Sequence, residues 1–392
     1  MPVIQTSEPI LRQSIAEIFP ECAGGPSSAG STFWRHNLQC AREGLLANDL
    51  AWVPMQLSEA LDMGLMWHLA LERFYKARKD AQALMLADVM AVIGPPRPQA
   101  LHTKGGGFYQ PFSPRGYLDA RELLYDGRID KTAYFQAGTV EATKAAYSVP
   151  DALQGHKDYD NDSWRGRLER MLASYITYQR ADQWEILYVE REYRTDAHVP
   201  HQGVTYTSRL DAGVRDYEVL QHPVIRNVEH KSSTFDDPKT LKAFEHDLQT
   251  WGQVWVMANA LEEHWPGETF AGGLVNITTK GGKVEWSKAT PRNHRVVVAP
   301  PWEGLLQWRE SLMYATEDRE LAKRRGYPKN WAACNRPYGL CSFFDVCMTD
   351  VSRGMVELGR PYTGYDYAAG APIGPFFEQR PRDQLRHLPV VM

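Results

Sequence analysis

The chain has 392 residues, is 43% hydrophobic and carries a net charge of −4, with 44 Lys and Arg against 48 Asp and Glu. Its 13 Phe, 19 Tyr and 12 Trp supply ample apolar material for a sizeable core, and the length allows two domains or one with a large insertion. The balance excludes a bulk polycation, so any polyanion must meet a local basic patch, with Arg165-Gly166-Arg167 plus Arg170, and Lys323-Arg324-Arg325 plus Lys329, as candidates.

In chain order, Ile10, Leu11, Ile15 and Ile18 recur at roughly helical spacing, and a Gly/Pro/Ser-rich loop carrying Cys22 follows. Residues 31–47 read as a helix through Cys40. Residues 57–80 form a stronger one, because Leu57, Leu61, Leu65, His68, Leu69, Glu72 and Tyr75 recur at three- and four-residue steps, putting His68 and Glu72 on one face. Residues 90–165, with Gly94-Pro95-Pro96-Arg97-Pro98 and Gly105-Gly106-Gly107, read as an insertion of loops and helices beside the main sheet. A helix over 163–180 leads to three predicted strands at 184–193, 203–211 and 224–231, the last two close enough for an antiparallel hairpin. Asp237-Pro238 starts a helix that runs to Leu261, with Asp as N-cap and Pro at the first position. Residues 270–278 and 283–287 read as a second hairpin about Gly281-Gly282, helices over 302–325 lead to a cysteine cluster, and the Pro/Gly/Tyr-rich tail from Gly359 reads as extended or disordered. The expected division is 1–80, 81–180, 181–300, 301–350 and 351–392. No secretory leader and no membrane-spanning apolar run is evident, so the cytosol is the expected compartment.

Two constellations carry chemistry. Asp211 and Glu229 on adjacent strands can share a hard divalent cation such as magnesium. Lys231, two residues beyond Glu229, projects to the same strand face and can orient or deprotonate a metal-bound water. His68 can add a ligand from a neighbouring helix. Taken singly, Glu-x-Lys is more often a solvated strand edge or ion pair, and a histidine on an apolar helix face is more often a core residue. The second constellation is Cys334-x6-Cys341-x5-Cys347 together with the remote Cys40. In a reducing compartment, grouped thiols point to metal more than to disulfides, and four thiolates suit zinc or an iron–sulfur cluster. No phosphate-binding G-x4-G-K-[ST] loop appears, so an ATP-driven motor would have to come from another chain.

Together these features resemble the iron–sulfur branch of the RecB-like PD-(D/E)XK nucleases, the group of AddB-type domains, CRISPR-adaptation nucleases, exonuclease V and phage exonucleases. The resemblance covers most of the span from Ser31 to Cys347. It rests on S-T-F-W-R-H-N-L-Q-C-A-R with Cys40 and Arg42, G-x3-H-x3-E at Gly64, His68 and Glu72, and Val189-Glu190. It continues through S-R-L-D ending at Asp211, Glu229-His230-Lys231, Gln249-x3-Gln253 and the terminal cysteines. This sequence departs from the pattern in its longer cysteine spacing, in His230 as the middle residue, and in Gln253 where the family has tyrosine.

The resemblance implies an α/β, restriction-endonuclease-like mixed central sheet flanked by helices, with a helical and loop insertion and an Fe–S clamp joining the N- and C-terminal regions. It implies catalytic Lys231, Asp211, Glu229, His68 and Gln249. Mg2+ or Mn2+ would be held by His68, Asp211, Glu229 and the His230 carbonyl, and a structural [4Fe-4S] cluster by Cys40, Cys334, Cys341 and Cys347. The implied activity is a metal-dependent single-stranded DNA exonuclease, 5′ to 3′, in recombination, repair or replication. A helicase, recombinase or single-strand-binding protein would be a partner, and no membrane is involved. The alternatives are a structure-specific endonuclease or CRISPR-adaptation accessory nuclease, and a non-catalytic zinc-containing DNA-binding subunit.

Overall fold

The computed structural model describes residues 18–19, 31–45, 52–54, 59–93, 120–197, 204–218, 222–280, 290–328, 330–336, 339–341, 347 and 377–379. The elements in chain order are α1 (Ser31–Gln39), α2 (Ala41–Gly44), β1 (Trp52–Pro54), α3 (Glu59–Ile93), α4 (Ala120–Tyr125), α5 (Lys131–Phe135), α6 (Thr139–Ala152) and α7 (Arg165–Tyr178). The sheet strands β2 (Trp184–Ala197), β3 (Val204–Asp216) and β4 (Val224–Ser233) follow, then α8 (Pro238–Glu245), α9 (Leu248–His264), β5 (Phe270–Thr279), β6 (Asn293–Val298) and α10 (Trp302–Arg324). Short strands β7 (Asn335–Arg336) and β8 (Gly339–Leu340) pair with each other, and β9 (Phe377–Gln379) pairs with β1.

The centre is a five-stranded mixed sheet ordered β2-β3-β4-β5-β6. All its pairings are antiparallel except β4 with β5, whose parallel register needs the long crossover through α8 and α9. Helices cover both faces. Trp67, Ala70 and Phe74 of α3, Ala146 of α6 and Leu172 and Tyr175 of α7 share one core with Ala212, Val214 and Val228. Val254 and Met257 of α9 and Leu305 and Leu312 of α10 pack with Ile225, Val275, Ile277 and Val296 in the other. Alternation along β4 therefore decides where its polar residues go: Asn227, Glu229 and Lys231 share the face of Ile225, towards α9, and His230 shares the face of Val228, towards α3 and α7.

Two close approaches need glycine. A Cβ on Gly252, in mid-α9, would collide with the Tyr206 ring, and one on Gly213 with the Tyr188 ring. Glycine in a helix costs about 1 kcal/mol against alanine, so Gly252 is the concession that lets α9 lie close over β3. At the sheet edge, Gln82 of α3 donates to the Trp184 carbonyl at 2.8 Å and accepts from the Ile186 N–H at 2.9 Å. It stands in for a missing neighbour strand along β2.

Several sequence expectations change. The helix predicted through Cys40 breaks there: Cys40 is extended (φ −158°, ψ 119°) and caps α2. The 57–80 helix runs on to Ile93. The helix from Asp237 divides in two, because Asp247 accepts from the N–H groups of Gln249 and Thr250 and begins α9 afresh, as Asp237 begins α8. The strand partner of β5 is 293–298, and residues 283–287 lie outside the described residues. Cys22, Gly105-Gly106-Gly107 and most of the tail lie outside them too, although Phe377–Gln379 is a strand. No helix among the described residues is long and apolar enough to cross a membrane.

Candidate metal centre

The β3–β4 hairpin pairs Ala212 with Val228, so Asp211 and Glu229 are next in line where the ladder ends. Helix α3 crosses this end of the sheet and brings His68 to it. One ligand atom each from His68, Asp211 and Glu229 lies within 4.8 Å of the other two, and this is the one such histidine–carboxylate or cysteine grouping found among the described residues. Sequence-predicted residues from distant parts of the chain thus converge.

The hydrogen bonds order the cluster. Asp211 Oδ2 lies 3.3 Å from His68 Nδ1 and accepts the His230 backbone N–H at 2.7 Å. Glu229, 1% exposed at its side chain, accepts from Gln249 Nε2 at 2.9 Å and from Lys231 Nζ on Oε1, and from Gln253 Nε2 at 2.5 Å on Oε2. Lys231 Nζ also donates to Gln249 Oε1 at 3.0 Å. Lysine, carboxylate and amide form a closed triangle, and Lys231 keeps 22% of its side chain in solvent while Glu229 keeps almost none.

The charges are strongly interdependent. Burial by itself lowers the His68 pKa, but the Asp211 carboxylate beside it, with help from Glu229, raises it to about 9. Burial likewise works to raise Asp211, and the His68 charge and hydrogen bond overcome it, holding Asp211 well below the usual carboxylate range. Glu229 moves the other way: burial and then the Asp211 charge raise it against the pull of Lys231. The Lys231 ammonium, disfavoured by burial, is favoured more by Glu229 and Asp211, and its pKa rises. Without a cation the site is therefore a clamped set of ion pairs. A divalent ion would replace the His68 proton as the charge that balances two buried carboxylates; the carboxylates suit hard oxygen-seeking ions, and the imidazole suits transition ions.

His230 is expected at the metal through its backbone carbonyl, and its side chain has a place of its own. Its ring lies on the opposite sheet face, stacked on Tyr75 (centroids 5.1 Å apart, 22° between planes) and edge-on to Tyr175. Burial lowers its pKa to about 3, so the ring is neutral. Tyr175 Oη lies 3.4 Å from His230 Nδ1 and 2.8 Å from Tyr75 Oη, and accepts from Asn276 Nδ2 at 3.1 Å. Asn276 accepts in turn from Arg295, whose guanidinium forks onto Asp182 at 2.9 and 2.8 Å. Tyr75 is two helical turns beyond His68 on α3, so this aromatic stack fixes the height of that helix over the site.

Three contributors stand outside the predicted set. Gln253 is fully buried and grips Glu229 from the interior. Its i, i+4 spacing from Gln249 was the available signal. Glu190 has a left-handed φ of +48° in mid-strand and lies across from Asp211 between the Val189–Ala212 and Arg191–Leu210 pairs. It binds Arg209 at 2.6 Å, and burial followed by the Asp211 charge raises its pKa to about 8. Tyr175 carried no sequence signal. Glu72, on the His68 face of α3, is held by Lys76.

Of the described cysteines, Cys40 and Cys347 are buried and Cys334 and Cys341 are half-buried. Asn330 Nδ2 donates to the carbonyl of Gln39, next to Cys40, at 2.9 Å, while Cys334 Sγ donates to the Asn330 carbonyl at 3.7 Å. The Cys341 N–H bonds the Cys334 carbonyl at 2.8 Å. A cavity of about 260 Å³ opens here, lined by Cys40 and by Arg319, Arg325 and Asn330. The N-terminal segment therefore meets the approach to the cysteine-rich segment, but the four described cysteines do not form a group with sulfurs within 4.8 Å of one another. Of the basic patches, Arg165 and Arg170 are tied to Asp160, Glu169 and Asp162, and Arg167 is buried. Lys323 pairs with Glu320.

No family model matches this chain, and no curated protein matches it. A solved structure described as the crystal structure of SSO0001 aligns with 50% of this chain and 70% of its own at 14% identity, with a TM-score of 0.23. A likeness of that size carries no argument about fold or activity.

Proposed function

We propose that this chain is a divalent-metal-dependent deoxyribonuclease of the RecB-like PD-(D/E)XK type, with a restriction-endonuclease-like core. Its proposed action is exonucleolytic, 5′ to 3′, on single-stranded DNA. The observation that carries the proposal is the convergence of His68, Asp211 and Glu229 within 4.8 Å, with the Lys231 ammonium bonded to Glu229. When bound at the first three residues, Mg2+ or Mn2+ supplies Lewis acidity and a water of lowered pKa. Lys231, far more exposed than its partner Glu229, would orient the attacking water and stabilise charge on the phosphate. Glu229 and Gln249 hold that ammonium in position. Asp211 keeps His68 directed into the cluster and is itself fixed by the His230 N–H.

Cys40, Cys334, Cys341 and Cys347 would hold a [4Fe-4S] cluster that ties the N-terminal helices to the C-terminal segment. The link through Asn330 from Gln39 to Cys334 supports this. The cluster is structural in this proposal and takes no part in cleavage.

The test is hydrolysis of end-labelled single-stranded DNA, linear and circular, with Mg2+ or Mn2+ and with chelator. Wild-type protein should degrade linear strands only in the presence of metal. Lys231→Ala should lose roughly two to four orders of magnitude, the usual size of an acid–base contribution. Cleavage that persists in chelator, or that Lys231→Ala leaves intact, contradicts the assignment. Nicking of circular strands would replace exonuclease with endonuclease.

A further inference from the structure

We infer that Gln249, together with Lys231, makes Glu229 a one-oxygen ligand, with Gln253 ordering the other oxygen, and so biases the site towards Mg2+ and Mn2+ and against Ca2+. The inference rests on the metal-site assignment above and goes beyond it. An ionised carboxylate offers about four acceptor positions, two on each oxygen. On Glu229, Oε1 takes Gln249 Nε2 at 2.9 Å and Lys231 Nζ, and Oε2 takes Gln253 Nε2 at 2.5 Å. Three positions are filled by protein donors, and one remains, on Oε2. A cation using both oxygens needs two positions, so it would have to displace a donor.

The donors are well fixed. Gln253 is 0% exposed, and its Oε1 faces Asn227 Nδ2 at 3.5 Å, which turns its amide nitrogen to the carboxylate. Asn227 lies two residues before Glu229 on the same strand face and is itself 1% exposed. Gln249 is locked from the other side, its Oε1 accepting Lys231 Nζ at 3.0 Å. The two glutamines are one turn apart on α9, and the close packing of Gly252 on Tyr206 sets that helix's distance from the strand.

The consequence is a choice among hard cations. Mg2+ takes near-octahedral coordination from single carboxylate oxygens and water, whereas Ca2+ takes more ligands at longer distance and often binds a carboxylate through both oxygens. A Glu229 restricted to one oxygen denies calcium a ligand and costs the smaller ion nothing.

Calorimetric titration with MnCl2 and CaCl2 tests this on full-length wild-type protein and on Gln249→Met and Gln253→Met. Gln249 is only partly buried, so its variant remains informative if loss of the buried Gln253 amide impairs folding. Wild type should bind Mn2+ more tightly than Ca2+. Removing Gln249 leaves one donor on each oxygen and should shift the preference towards Ca2+ by about tenfold, whereas Gln253→Met, if folded, leaves both Oε1 positions filled and should keep the wild-type preference. A Mn2+-to-Ca2+ ratio unchanged in Gln249→Met, or a wild-type site that binds both equally, overturns the inference and leaves the metal site standing. Failure of wild type to bind Mn2+ at all overturns the metal-site assignment itself.

Discussion

Metal binding at His68 should expel a proton, and the size of that coupling follows from the geometry. In the metal-free protein, Asp211 Oδ2 at 3.3 Å and the Glu229 charge raise the His68 pKa to about 9 against the opposing effect of burial. A ligating imidazole must be neutral. At pH 7 only about one ring in a hundred is neutral, so apparent affinity should lie about a hundredfold below its high-pH limit and change about tenfold per pH unit between 7 and 8.5. Calorimetry with Mn2+ in two buffers of different ionisation enthalpy measures the released proton directly. The sign for stability is opposite. The folded pKa of His68 lies above its unfolded value of 6.5, so its contribution to the metal-free fold is complete below pH 6.5 and disappears as pH rises through about 9. Solvent reaches 32% of the His68 side chain, so screening keeps that contribution modest. A Mn2+ affinity flat from pH 6.5 to 8.5, with no proton released, would refute the coupling and His68 as a ligand.

Three further outcomes are expected. Asp182→Ala leaves the Arg295 guanidinium buried without its carboxylate and should destabilise the fold by about 3–5 kcal/mol, read as a lower urea midpoint at unchanged slope. Gly252→Ala should lower the melting temperature even though alanine is the better helix former by about 1 kcal/mol, because the new methyl meets the Tyr206 ring. A rise in melting temperature would show that α9 has room to move. Cys40→Ser should lose iron and visible absorption from protein purified without oxygen; a colourless wild type that carries zinc would replace the proposed cluster.

The site was readable wherever a local period carried it. The i, i+2 spacing of Glu229 and Lys231 fixed their common face, and the short β3–β4 connection put Asp211 beside them. The three- and four-residue repeat around His68 gave its helix. That the helix crosses this end of the sheet was not readable, because tertiary packing of Trp67 and Phe74 decides it. The break at Cys40 carries no glycine or proline, and the restart at Asp247 is a capping signal hidden inside a strong apolar period. Gly281-Gly282 gave the strongest turn signal after β5, yet the strand that pairs lies beyond it at Asn293. Gln253 was legible as a residue one turn from Gln249, but its role depends on a buried carboxylate 24 positions away. Glu190 has a left-handed φ in mid-strand, which no local pattern records.

Anomalous diffraction from crystals soaked in MnCl2 tests the proposed chemistry most directly. A manganese peak should lie among His68 Nδ1 or Nε2, an Asp211 oxygen and a single Glu229 oxygen, with Lys231 beside it. A peak elsewhere, or none at a concentration that saturates binding in solution, would contradict the metal centre and the nuclease built upon it.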